Sequence, residues 1–205
     1  TSPRVAELTM RGPDAAPPAD GDALQAAGCD AWGVRAFREL DDALLRLRIN
    51  HLDIGTVVLK TAGDAKAVLA WDAFVLAHAP KHWLVREVLH LQKRALKRLD
   101  LCAKTLYAFI EPGNAFAGSL LEVALAADRQ YMLDDDNDTI AMGVMNGGSL
   151  TMSNGLSRLE TRFYGVPGVA EKMAKLTDVL PADEALKLGL VTFAPDDIDW
   201  EDETR

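Results

Sequence analysis

The chain has 205 residues, 49% of them hydrophobic and 26% charged, which is enough apolar material to bury one sizeable core. A net charge of −9 excludes nucleic acid or an anionic membrane as a partner of the bulk surface, and no run of ~18 apolar residues is present to span a bilayer. Cys29 and Cys102 are the two cysteines, without metal-ligand spacing, so a disulfide framework or structural zinc is not expected and a reducing cytoplasm is.

Residues 1–25 include RGPDAAPPADGDAL and predict a leading arm, or a strand over RVAELTMRG followed by a Pro/Ala-rich connector. Residues 26–205 predict the main domain. From Val34 to Asn50, Phe37, Leu40, Ala43, Leu44 and Leu47 recur at helical spacing. IGTVVLKTAG is a β-branched run ending in a glycine turn and predicts a buried strand. A long helix is expected within HAPKHWLVREVLHLQKRALKRLDLCAK, then a strand over TLYAFI closed by EPGN. A third helix is expected from near Gly118 to Asp128, then a strand over RQYML and a solvated loop at DDDNDT. Short helices are expected in GLSRLETRFYG, GVAEKMAKL and PADEALKLGL. Strands alternating with helices predict an α/β fold with largely parallel strands.

Most chemical motifs fail on inspection. Of the four histidines, His78 and His82 have i,i+4 numbering, but Pro80 lies between them and disrupts the helix a metal pair would need. Asp134, Asp136 and Asp138 resemble the start of a calcium loop, but Thr139 replaces the required glycine and Met145 the closing glutamate. Ser119, Ser149, Ser153 and Ser157 do not form a nucleophile elbow. No metal site is expected.

The stretch PGNAFAGSLLEVALAAD stands apart. Gly118 and Ser119 lie where a loop enters a helix, and the first N–H groups there lack internal partners and carry the positive end of the helix dipole. A developing oxyanion fits against them, with Glu122 one turn on. The spacing equally allows Gly118 to permit tight packing and Glu122 to pair with a basic side chain.

GNAFAGSLLEVALAAD, NGLSRLETRFYG and PADEALKLGLVTF, with IGTVVLKTAGDAKAVLAWD upstream, resemble the crotonase (enoyl-CoA hydratase/isomerase) superfamily over roughly residues 35–195. LTMRGPDAAPPAD, HWLVREVLHLQKRALKRLDL, RQYMLDDDND and LVTFAPDDIDWEDE are similar to a ring-cleaving branch of it that acts in aerobic benzoyl-CoA degradation. The resemblance implies a crotonase-like spiral of ββα units with outer helices, cut short of the family's final helices. It implies a homo-oligomer and a coenzyme A thioester substrate, with no separate cofactor because coenzyme A is part of the substrate. The Ser119 N–H, with Gly118 as the neighbouring possibility, would be one oxyanion donor. The other would come from Val68, Leu69 or Ala70, where Leu69 and Trp71 replace the family's glycine-containing loop. Glu122 matches the first of two acid/base glutamates. The second falls in Val144–Met145–Asn146, where no carboxylate occurs. Asn114, Asn146 and Asn154 would bind substrate oxygens. The basic stripe Lys81, Arg86, Lys93, Arg94, Lys97 and Arg98 would meet CoA phosphates or form a solvated helix face. The implied reaction is cleavage of a C–C bond in a 2,3-epoxy or dihydrodiol benzoyl thioester with release of formate. An enoyl-CoA hydratase or isomerase, or a non-catalytic crotonase-like module, are the alternatives.

Overall fold

Four strands in chain order form a parallel sheet: β1 (Val5–Arg11), β2 (Thr56–Ala62), β3 (Thr105–Ile110) and β4 (Arg129–Met132). The computed structural model describes residues 4–135 and 137–204, so Asp136 of the acidic loop lies outside the described residues, as do residues 1–3 and 205. Register is continuous across the sheet, with Leu8 opposite Leu59, Leu59 opposite Ala108 and Ala108 opposite Gln130. Residues 5–11 pair along their whole length with β2 as the outer strand of the sheet.

Parallel neighbours need long crossovers, and helices supply them. α1 (Gly21–Ala27) and α2 (Trp32–Ile49) join β1 to β2. α3 (Ala65–His78) and α4 (Trp83–Asp100) join β2 to β3, and α5 (Gly118–Leu125) joins β3 to β4. Beyond the sheet come β5 (Thr139–Ala141), a 3-10 turn (Val144–Gly147), α6 (Arg158–Arg162), α7 (Val169–Met173), β6 (Val179–Pro181), α8 (Ala182–Lys187) and α9 (Trp200–Thr204). β5 and β6 pair antiparallel.

α2 and α4 are outer helices with one apolar stripe each. Phe37, Leu40 and Leu44 are buried on α2, and Val85, Val88, Leu96 and Leu99 on α4. Each such side chain contributes roughly 1.5–3 kcal/mol by leaving water. The two helices are also joined by an ion pair between Arg98 and Asp41. α5 differs because all eight of its residues are buried, so it is a central helix with protein on every side.

One expected element is corrected and one is delimited. The stretch after β2 is a full helix rather than a loop, because Asp64 caps it by accepting from the Lys66 N–H at 2.9 Å and no glycine interrupts it. α4 starts only at Trp83, where the His82 ring accepts from the Leu84 N–H at 3.2 Å. Pro80 lies between α3 and α4, so His78 and His82 belong to different segments. Tight packing joins α2 to α3: the Trp32 ring meets the Trp71 ring edge-on at 5.5 Å, and a Cβ on Gly33 would lie 2.5 Å from Trp71 Nε1.

Candidate active site

The loop before α5 is fixed by its own polar atoms. Thr61 Oγ1 accepts the Ala115 N–H at 2.9 Å, and Asn114 Oδ1 accepts the Phe116 N–H at 2.9 Å. These bonds aim the chain into Gly118, whose φ of +47° suits glycine. A Cβ at Gly118 would lie 2.1 Å from Asp72 Oδ2, so a side chain here is excluded twice over.

The Ser119 N–H, expected to be an open donor, donates to Asp72 Oδ2 at 2.6 Å. Asp72 comes from α3 and is fully buried. Burial pushes its carboxyl from 3.8 up to about 7, with Ser119 opposing the shift and Glu122 adding to it. The second expected donor is also unavailable as an open group. Val68, Leu69 and Ala70 lie within α3, whose N–H groups are used by the helix, as in Val68 N–H to Asp64 O at 3.3 Å. The Leu69 side chain wedges between two glycines, 3.2 Å from a Cβ at Gly118 and 2.6 Å from one at Gly143.

Glu122 is buried and paired with a basic side chain. Its Oε2 accepts from Arg158 Nη1 at 2.8 Å and its Oε1 from Asn146 Nδ2 at 2.6 Å. Arg158 turns its other edge to Asp100, through Nε at 2.9 Å and Nη2 at 2.8 Å, and also donates to the Leu150 carbonyl at 2.9 Å. The two carboxylates and the guanidinium are each at most 3% exposed. Burial pushes Glu122 and Asp100 above the ordinary carboxylate range, while Arg158 holds them down. The guanidinium grips Asp100 in two prongs and Glu122 in one, so a single cation positions both carboxyls.

The expected residues therefore divide. Gly118, Ser119, Leu69, Glu122 and Asn146 meet at the entrance of α5, where Asn146 also donates to the Gly118 carbonyl at 3.0 Å. Val68 is buried in the core. Asn114 braces its loop and reaches Asp138 at 3.4 Å. Asn154 is exposed and caps a turn through the Leu156 N–H at 3.0 Å. Asp138, placed by the sequence in a solvated loop, is buried, because the loop folds back against Asn114. Ala70 lines a cleft of about 1120 Å³ at the carboxyl ends of β1 and β2, together with Arg11, Trp32, Arg35, Leu40 and Lys66. In the basic stripe, Arg86 and Arg94 are exposed while Arg98 is committed to Asp41.

Asp72, Asp100 and Arg158 escaped the sequence analysis. Asp72 gave the same signal as Glu122, a lone carboxylate in an apolar helix. Arg158 follows Ser157 in S-x-x-E, a helix-start signature realised as a capping box between Ser157 and Glu160.

Among the described residues no group of three or more His, Cys, Asp or Glu side chains could hold a metal ion, and no helix is long and apolar enough to cross a membrane. No protein-family model matches the chain. Benzoyl-CoA-dihydrodiol lyase of Aromatoleum evansii is 46% identical over 205 residues, covering 98% of this chain and 37% of that relative. The chain thus spans little more than a third of that relative's length. Solved structures share the crotonase fold: an enoyl-CoA hydratase/carnitine racemase from Magnetospirillum magneticum has a TM-score of 0.66 at 18% identity, over 100% of this chain and 69% of that one. An enoyl-CoA hydratase/isomerase from Marinobacter aquaeolei has a TM-score of 0.60 at 18% identity, over 83% of this chain and 64% of that one. The expected α/β crotonase architecture is therefore the observed one. Within this fold, the amide and the carboxyl on which the expected chemistry turned are both engaged by the chain's own side chains.

Proposed function

We propose that this chain is part of a CoA-thioester lyase that cleaves a C–C bond of a ring-derived benzoyl thioester and releases formate. The observation that carries this reading is the 46% identity to a benzoyl-CoA-dihydrodiol lyase across 98% of the chain, against 37% of the relative's length. Cleavage of such a bond sends its electron pair toward the thioester carbonyl, so the reaction needs a donor for the oxyanion and a group that moves a proton. In this unit the Ser119 N–H is the candidate donor and Glu122 the candidate proton carrier.

A second reading is favoured by two contacts: Asp72 on the Ser119 N–H, and Arg158 on Glu122. On that reading this crotonase unit supports the lyase as a folded partner and handles no thioester itself.

Glu122→Gln in the lyase that contains this chain separates the two. Turnover per folded molecule that drops by at least ~100-fold assigns proton transfer to Glu122. Unchanged turnover with lowered stability assigns this unit the supporting role. Calorimetry with benzoyl-CoA on the chain gives the matching binding result, heat of binding for the first reading and none for the second.

A further inference from the structure

The amide at the start of α5 already holds an oxygen ligand. Asp72 reaches it from α3, 47 residues earlier in the chain, and places Oδ2 at 2.6 Å from the Ser119 nitrogen. Its other oxygen, Oδ1, and the Ser119 hydroxyl are both buried without a hydrogen-bond partner. A carboxylate kept for structure is normally satisfied on both oxygens, as Glu122 is by Asn146 and Arg158. Asp72 accepts one well-formed bond, from the Ser119 N–H, and the Ser119 side chain is its other polar neighbour.

The surroundings are shaped to this contact. Gly118 has no Cβ, and one would lie 2.1 Å from Asp72 Oδ2. Leu69, one turn before Asp72 on α3, fills the space beside Gly118 and Gly143. What sits on the amide is a carboxyl group, and a helix N-terminus favours anionic oxygen whether or not it is tethered.

We infer that Asp72 is a tethered occupant of the Ser119 amide, an internal carboxylate that keeps this position shut, and that its removal leaves a site for a small carboxylate anion. The identity of the position as a thioester site rests on the function proposed above; the carboxylate site does not.

Asp72→Ala and Asp72→Asn in the chain test this, with sodium acetate and sodium formate as probes and sodium chloride at equal ionic strength as the control. Asp72→Ala vacates the amide, whereas Asp72→Asn leaves a carbonyl oxygen of the same reach on it. The expected result is a saturable rise of the melting temperature of Asp72→Ala with acetate or formate, with the unsubstituted chain and Asp72→Asn unmoved. No rise in Asp72→Ala, or equal rises in all three proteins, overturns the inference. If Asp72→Ala does not fold, NMR of the unsubstituted chain reads the same contact. A protected, downfield Ser119 amide proton that follows the Asp72 carboxyl resonance supports it, and a Ser119 amide exchanging at the solvent rate overturns it. Benzoyl-CoA added to Asp72→Ala separates the two ideas. An acetate response without benzoyl-CoA binding leaves the internal occupant standing and removes the thioester reading of this amide.

Discussion

The Arg158 guanidinium donates to Glu122 across 2.8 Å, and both side chains are almost completely out of solvent. The same group makes a two-pronged contact with Asp100. Taking away one member of a buried set leaves the others charged and unpaired, which costs more than the set contributes. Arg158→Ala is expected to destabilise the chain by about 3–5 kcal/mol, read as a lower urea midpoint. Arg158→Lys keeps the charge but loses the planar fork, so it should recover less than half of that loss.

Stability should rise on mild acidification. The Asp72 and Asp138 carboxyls are each pushed from 3.8 to about 7, chiefly by burial. Between these values the folded chain binds more protons than the unfolded one, so stability falls as pH rises from about 4 to about 7 and then levels off. For Asp72 the shift corresponds to at most about 4 kcal/mol. Urea midpoints measured from pH 5 to 8 check the slope. Asp72→Asn should flatten part of it and be the more stable protein at pH 8.

Gly118→Ala should be strongly destabilising, by more than about 2 kcal/mol, since it adds a positive-φ penalty to a clash with Asp72. The two causes can be separated. Combining it with Asp72→Ala relieves the clash but not the backbone penalty, so the double variant should lose less than the sum of the single ones. A thermodynamic cycle on the four proteins measures the coupling.

Ser157→Ala should cost about 1 kcal/mol. Ser157 accepts the Glu160 N–H at 3.1 Å, while Glu160 Oε2 takes the Ser157 N–H at 2.6 Å. Because α6 presents Arg158 on its first turn, faster amide exchange should spread from α6 to the Asn146 side chain and the α5 entrance. Exchange confined to α6 would show that the cap acts locally.

Periodicity made α2 and α4 legible because each has one buried stripe, such as Phe37, Leu40 and Leu44 on α2, while a β-branched run ending in glycine made β2 legible. α3 was not legible as a helix because its apolar residues run nearly all round, leaving no polar face to set a 3.6-residue period. At the site, Gly118, Ser119 and Glu122 stood out by composition, and they do meet. Their partners did not stand out. Asp72 is 47 residues from Ser119, and Arg158 is 36 from Glu122 and 58 from Asp100, so local spacing carries no trace of the pairing. A lone carboxylate in an apolar helix signals a special environment, but whether that means catalysis or ion pairing depends on which cation the fold delivers.

The place of Arg158 in the chain governs how the protein becomes whole. Asp100 closes α4 and Glu122 sits in α5, so both acids are laid down well before their shared cation. Without that cation the two carboxyls would have to be protonated or remain in water, because the apolar wall around them offers no countercharge. The later segment therefore supplies the countercharge of the earlier one, which ties the packing of α4 and α5 to that of α6.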